Sequence, residues 1–337
     1  MKKKTMRIGS SRAAGRMAAA LAAGALLVGI AMTAQRGSAQ QNQGGEVHVL
    51  PVQGNIYMIV GAGGNITAQV GKQGVLLVDA GTAAAAPKVL EAIKKTTDKP
   101  IRYIVDTRYA DDHTGGNEFL RKAGVTITGA NVAGNLTDAT QGAALFAHDN
   151  VLGRMSAPTG QQAPTPTGAW PTQTYYGNEK EMYFNDEAVQ MLHVNGASDG
   201  DTIVFFRRSD VVSAGDLFNT IGYPPIDVEK GGSVQGLIDG LNMILHLTVP
   251  AHEEEGGTLV IPGHGRLCDE ADVLEYRDMV AIVRDRVRAM IKKGMTLEQI
   301  KAARPTYEYD PRYGVKGGGA ASDQFVEAVY KSLKAQK

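Results

Sequence analysis

A chain of 337 residues with 43% apolar residues, 41 glycines and 13 prolines excludes the collagen-like, disordered and polytopic membrane classes and leaves a globular protein. Its 35 Lys and Arg balance 35 Asp and Glu, which argues against a nucleic-acid binder, since such proteins carry a basic excess to neutralise phosphates. The balance is uneven: residues 1–39 hold seven basic side chains and no acidic one, leaving 28 basic against 35 acidic residues in the rest of the chain.

The N-terminal segment reads as an address. Met1–Arg16 is basic, Met17–Ala34 is apolar and uncharged, and the small residues Gly37 and Ala39 precede a cleavage point after Ala39. This pattern predicts a signal peptide over residues 1–39 and an exported body, periplasmic or extracellular, over residues 40–337. The competing reading is an uncleaved membrane anchor, because 18 apolar residues nearly span a bilayer. The body holds one cysteine, Cys268, so no internal disulfide braces it.

Within the body, Val47–Val60 reads as an extended lead-in with a strand over Gly54–Val60, followed by a turn through Gly61–Asn65 and strands at Ile66–Val70 and Val75–Asp79. Helical spacing marks Ala83–Thr96, Ile101–Asp106 is a buried-type strand, and Gly116–Ala123 is a short helix. Asn150–Thr174 is rich in Pro, Gly, Gln and Thr and reads as a long surface loop beneath which substrate would enter. Strands follow at Met182–Phe184, Val189–Val194, Thr202–Phe206, Val211–Ala214 and Leu259–Ile261, with helices at Ser233–Leu247, Glu270–Lys293, Thr296–Ala303 and Asp323–Lys334. Two strand blocks, each ending in helices, predict α/β layers: two sheets face to face with helices outside.

Polar clusters follow four of these strands: Asp106 to Gly116, His193 to Asp201, Ser213 to Asp216, and Ile261 to Gly265. Carboxylates and imidazoles on strand-end loops are the donors of a divalent metal site. In order and spacing these segments resemble the metallo-β-lactamase superfamily, whose first motif reads T-H-x-H-x-D-H-x-G-G. Gly74–Gly81 is similar to the family's strand leading to Asp79. The resemblance covers about Gly45 to Gly265. It implies a four-layer αββα sandwich, zinc as cofactor, and hydrolysis of an ester-, thioester- or amide-like bond in a small-molecule substrate.

Carried over residue by residue, the resemblance gives half of a two-metal site. Asp112, His113 and His264 match the ligands of the second metal position, and Asp216 matches the carboxylate that bridges both ions. Where the first motif has its leading histidines, this chain has Arg108 and Ala110, and the second-motif histidine falls on Ala197. A guanidinium cannot give up its proton at usable pH and repels a cation, so the expectation is one zinc ion or none. Asp112 and Asp216 are then the candidate catalytic residues, and Arg108 and Tyr109 the candidate substrate-binding ones. The alternative is a non-catalytic binding or scaffold protein in which Arg108 fills the lost position by pairing with Asp111, Asp112 or Asp216. In a third reading Arg108 grips an anionic group of the substrate.

Other residues carry plainer readings. Asp111 reads as a solvated charge, His193 as a packing or hydrogen-bonding histidine, and Cys268 as a buried thiol. His48, His148, His246 and His252 stand outside any spaced motif. Asp79 supports the first motif loop through hydrogen bonds rather than by touching metal. Gly61–Gly64 is not a G-x-G-x-x-G fingerprint, no Walker-type Lys follows any glycine cluster, and no serine lies in G-x-S-x-G, so nucleotide binding and a serine triad have no support. Beyond the anchor reading, no membrane contact and no nucleic-acid partner are expected.

Overall fold

The computed structural model describes residues 45–126, 142–158, 163–253, 256–314 and 319–335, all within one unit spanning residues 41–337. The predicted export segment, residues 1–39, lies outside them. One sheet takes seven strands in chain order: β1 (His48–Gln53), β2 (Ile56–Ala62), β3 (Gly64–Gly71), β4 (Gly74–Val78), β5 (Ile101–Val105), β6 (Ala144–His148) and β7 (Gln173–Tyr175). Pairing is antiparallel from β1 to β4 and parallel from β4 to β7. The second sheet holds β8 (Glu179–Phe184), β9 (Glu187–Val194), β10 (Asp201–Phe206), β11 (Val211–Ser213) and β12 (Leu259–Ile261). It is antiparallel except for the β11–β12 pair.

Alternation along each strand assigns its side chains to two cores, as a period of two requires. Leu76 and Val78 of β4 face inward with Ile56, Met58 and Val105, and meet Val189, Met191, Val204 and Phe206 of the other sheet. Val75 and Leu77, one residue out of phase, face the opposite side with Ile59, Ile66 and Ile104. That side is covered by α1 (Ala86–Thr96), through Ala86, Val89 and Ile93, and by Leu120 of α3 (Asn117–Ala123).

The outer face of the second sheet carries Ile203, Val212 and Val260. Against it pack α5 (Val234–Leu247), α6 (Glu270–Lys292) and α9 (Gly319–Ala335). Helix α6 buries Val273, Tyr276, Val280, Val283 and Val287, a three-to-four residue spacing that keeps one stripe against the core. Two sheets between two helical layers make the αββα sandwich.

Several boundaries differ from expectation. Strand β6 lies where no element was expected, and the lead-in contains a full strand, β1, at the edge of its sheet among the described residues, a place that tolerates Pro51. The turn predicted over Gly61–Asn65 contracts to Gly63, with β2 and β3 running up to it. The stretch predicted as a loop from Asn150 opens as helix α4 (Asp149–Ser156), whose Val151 and Met155 are buried against Ala147 and Ala169. Residues 159–162 of that stretch lie outside the description. Among the described residues no helix is long and apolar enough to cross a membrane.

The topology gathers the polar loops at one rim. Strands β4, β5 and β6 run parallel, β11 and β12 run parallel, and β9 shares their direction through two antiparallel steps. Their C-terminal ends therefore lie together, and Thr202 N–H donates to Thr107 O across the two sheets at 2.9 Å. Replacing Leu76, fully buried between the sheets, with Ala should lower unfolding free energy by about 2–5 kcal/mol in urea titration. A loss under about 1 kcal/mol would mean that the inter-sheet layer is not close-packed there.

Candidate metal centre

The site is built on four strand ends. After β5 the chain turns through Asp106–Ala110 into the single-turn helix α2 (Asp111–Thr114), which carries Asp112 and His113. After β11, Asp216 lies in a 3₁₀ turn, and after β12 the chain presents His264. Donor atoms from Asp112, His113, Asp216 and His264 all lie within 4.8 Å of one another.

Their spacing is that of a coordination shell. With zinc ligands at 2.0–2.1 Å, the edges of a tetrahedron are about 3.3 Å long. His113 Nε2 is 3.3 Å from Asp216 Oδ1, His264 Nε2 is 3.4 Å from the same oxygen, and His264 Nε2 is 2.9 Å from Asp112 Oδ2. His113 Nε2 and Asp112 Oδ1 are 3.9 Å apart. His113 Nε2 and Asp216 Oδ1 are buried, and neither makes a hydrogen bond of acceptable geometry. The donor set, two imidazoles and two carboxylates on a common point, fits one divalent ion.

Asp79 holds this arrangement from below. It follows β4 with a left-handed backbone, φ 67°, which turns its carboxylate back under the β5 loop. Thr107 N–H donates to Asp79 Oδ1 at 2.7 Å, and His113 Nδ1 to Asp79 Oδ2 at 2.8 Å. A carboxylate can only accept, so the proton is on Nδ1 and Nε2 faces the cluster. Burial disfavours a charged His113, yet Asp79 and Asp216 outweigh it and hold its pKa well above the ordinary imidazole range.

Asp106, wholly buried, is pushed well up by burial and by Asp79 beside it; Asn117 Nδ2 donates to its Oδ2 at 2.8 Å. The His264 loop is tied by Asn65, whose side-chain amide donates to Pro262 O and Gly265 O. Gly263 has no freedom to be anything larger: a Cβ there would meet Asp216 Oδ1 at 2.6 Å. Asn65, Asp106, Thr107 and Asn117 went unassigned in the sequence, because each is a common residue type whose partner lies far along the chain.

Arg108 occupies the place of the first expected histidine and is 4% exposed. Its Nη1 donates to Asp216 Oδ2 at 2.5 Å. Burial works against the guanidinium charge, but Asp216, Asp201 and Asp112 outweigh it and raise its pKa. Burial likewise opposes ionisation of Asp216, and His113, Arg108 and His264 overcome it, holding that carboxyl well below the usual range. The two oxygens of Asp216 are thus divided, one to Arg108 and one to the cluster. At Asp112 burial is again outweighed, by the hydrogen bond from His264 and by His113, and its pKa falls.

Of the other named residues, Tyr109 donates its hydroxyl proton to Asp227 Oδ2 at 2.5 Å, and Lys230 Nζ lies 4.0 Å from its ring centre. Ala197, fully buried, lies in the β9–β10 loop. Ser198 N–H and Oγ–H close that loop onto Asp201, whose carboxyl is pushed up to about 6 by burial. Asp111 is exposed and outside the cluster. His193 donates from Nε2 to Asp199 O at 2.8 Å and stacks on His148 at 3.7 Å. His48, His246 and His252 are exposed. Cys268 is buried away from the ligand group, with burial raising its thiol pKa.

No curated protein matches the sequence. Among solved structures, the stereoselective inverting sec-alkylsulfatase Pisa1 from Pseudomonas sp. aligns with a TM-score of 0.62 and 17% identity, covering 85% of this chain and 50% of that one. The chain thus spans about half the length of that sulfatase. The metallo-beta-lactamase from Pontibacter korlensis aligns with a TM-score of 0.51 and 11% identity, over 70% of this chain and 99% of that one. For the DIM-1 metallo-beta-lactamase the values are 0.50 and 14%, over 70% and 98%. At these identities the likeness is one of fold. The family model of the metallo-beta-lactamase superfamily matches residues 49–264, well over half of the chain and every loop of the cluster, and the protein belongs to that superfamily.

Proposed function

We propose that this is an exported hydrolase that works with a single divalent ion, zinc by its donor set, and cleaves an ester-, thioester- or amide-like bond of a small molecule. The observation that carries the reading is the cluster itself: donor atoms of two imidazoles and two carboxylates within 4.8 Å of one another, two of them buried without hydrogen bonds. Asp112, His113 and His264 would hold the ion, with Asp216 as a further oxygen ligand or the acceptor for water, so that a position stays open as a catalytic site requires. The ion would supply Lewis acidity toward the scissile carbonyl and lower the pKa of water toward ~7.

The chain's own residues do the rest. Asp79 fixes the His113 ring through Nδ1, so that Nε2 is the atom offered. Arg108 neutralises one oxygen of Asp216 and brings a fixed positive charge to the place a second cation would take. Asp112, whose side chain is 34% exposed, borders solvent, and its carboxylate would be the group to take a proton from water. Export rests on the basic-then-apolar order of residues 1–39 and implies a periplasmic or extracellular location. The acidic remainder of the chain disfavours a nucleic-acid partner. A second reading, a non-catalytic binding protein, is favoured by the 2.5 Å pair of Arg108 with Asp216, which already satisfies part of the site without an ion.

Elemental analysis of protein from metal-replete growth separates the two. The hydrolase reading predicts about one equivalent of zinc, manganese or iron and a raised melting temperature on adding metal. Less than ~0.1 equivalent, with no stabilisation, would sink it. His264→Ala and Asp112→Ala should lose the ion and Cys268→Ser should keep it; full metal in His264→Ala would mean that the site lies elsewhere.

The Arg108 pair gives a stability test. In chelator-treated protein, Arg108→Ala leaves Asp216 as a buried, partly compensated charge and should cost about 3–5 kcal/mol. A cost below about 1 kcal/mol would show that Arg108 is not the charge that holds Asp216. Because the folded-state pKa of Asp216 is depressed, the contribution of the pair is present above the ordinary carboxyl range and is lost as pH falls below it.

A further inference from the structure

Two cavities, of about 430 and 440 Å³, open beside the cluster, the first touching His264 and the second Arg108. They adjoin along Pro225, Ile226, Gln324 and Ala328, which line both, and together form a groove of two parts. One wall is the chain that follows Asn219; the other is helix α9. Helix α9 lies beyond residue 264, outside the segment that the family model matches. The half that reaches His264 is lined chiefly by Ile221, Tyr223, Pro225, Ile226, Phe325 and Ala328.

Charge decides what such a groove accepts. The two cations along its second half are already engaged: Arg108 by Asp216, and Lys331 by Glu327 at 2.8 Å. Asp227 and Glu229 add negative charge to the same half. An anionic occupant would approach Asp227, Glu229 and Glu327, while the Nε of Arg108, a donor without a partner, is buried. A neutral aliphatic chain fits the half that reaches His264, whose lining holds no Asp, Glu, Lys or Arg, and gains there from leaving water.

We propose that the groove binds the aliphatic chain of a neutral amphiphile, with its carbonyl end at His264 and Asp112, and that Ile226 and Ala328 select chain length. The ester-substrate part rests on the hydrolase reading above and makes the substrate class a medium-chain acyl ester. Binding of the chain itself does not depend on that reading.

Calorimetry with neutral, non-ester probes tests the binding step first. Octanamide should bind the full chain about tenfold or more tighter than butyramide, since each buried methylene is worth roughly fourfold in affinity. Ala328→Trp, which fills the shared stretch of groove, should erase that preference. Ile226→Ser, a smaller change in a loop, should reduce it, and circular dichroism of both variants should match the parent. Equal affinity for the two amides, or a preference that survives in both folded variants, would overturn the proposal.

The second step uses zinc-loaded protein with 4-nitrophenyl octanoate and butyrate. The kcat/KM ratio of octanoate to butyrate should exceed about ten and fall toward one in Ala328→Trp. Chain-dependent amide binding without hydrolysis of either ester would leave the groove in place and defeat the hydrolase reading. Hydrolysis of both esters with equal kcat/KM would keep the hydrolase and defeat the groove.

Discussion

Asp216 is a buried carboxylate that must satisfy charge on two sides at once. Its Oδ2 accepts from Arg108 at 2.5 Å, while its Oδ1, 3.3 and 3.4 Å from the two imidazoles, makes no hydrogen bond of its own. An isolated carboxylate at that depth would be expelled or protonated. The surroundings are arranged so that neither happens. Arg108 is itself held ionised by Asp216, Asp201 and Asp112, so the loops after β5, β9 and β11 depend on one another through charge. Gly263 is small because the Asp216 carboxylate already fills the space where its Cβ would stand.

The same interaction separates this site from a two-ion one. A bridging carboxylate gives one oxygen to each ion; here one of the two is given to a guanidinium. A guanidinium and a divalent cation differ in what they do to chemistry. The first orients and neutralises but cannot activate water, because it neither exchanges ligands nor loses its proton near neutral pH. The candidate donors of the second position, by contrast, are all present, as is the support beneath them, including the Asp79 contact that sets the His113 tautomer.

What could be read in the sequence follows physical specificity. Strand β9 and helix α6 were legible from their periods, β4 and β10 from unbroken runs of Val, Leu, Ile, Thr and Phe, and the four candidate donors because few roles bring Asp and His together at successive strand ends. Strand β6 was not: Ala144–His148 is buried on both faces, so it lacks alternation, and two of its five residues are alanines. Helix α4 is eight residues long in a Gly- and Pro-rich stretch, and it exists because Val151 and Met155 find cover and His148 accepts from Asn150 N–H at its start. Arg108 stands where the family's motif has a histidine, but its partner was open among three carboxylates until the distances singled out Asp216.

The least legible feature is the groove, and the reason bears on how function varies within this fold. Its lining residues are ordinary in type, come from two distant parts of the chain, and include a helix that the family model does not reach. The sheets and rim loops fix where the four candidate donors stand, since their positions are locked by close packing and buried hydrogen bonds. What lies beyond the rim is set by the chain after Asn219 and by α9, and those segments can change without disturbing Asp112, His113, Asp216 or His264. A shared fold therefore carries the chemistry of the centre, while the identity of the substrate resides in the wall that each member builds beside it.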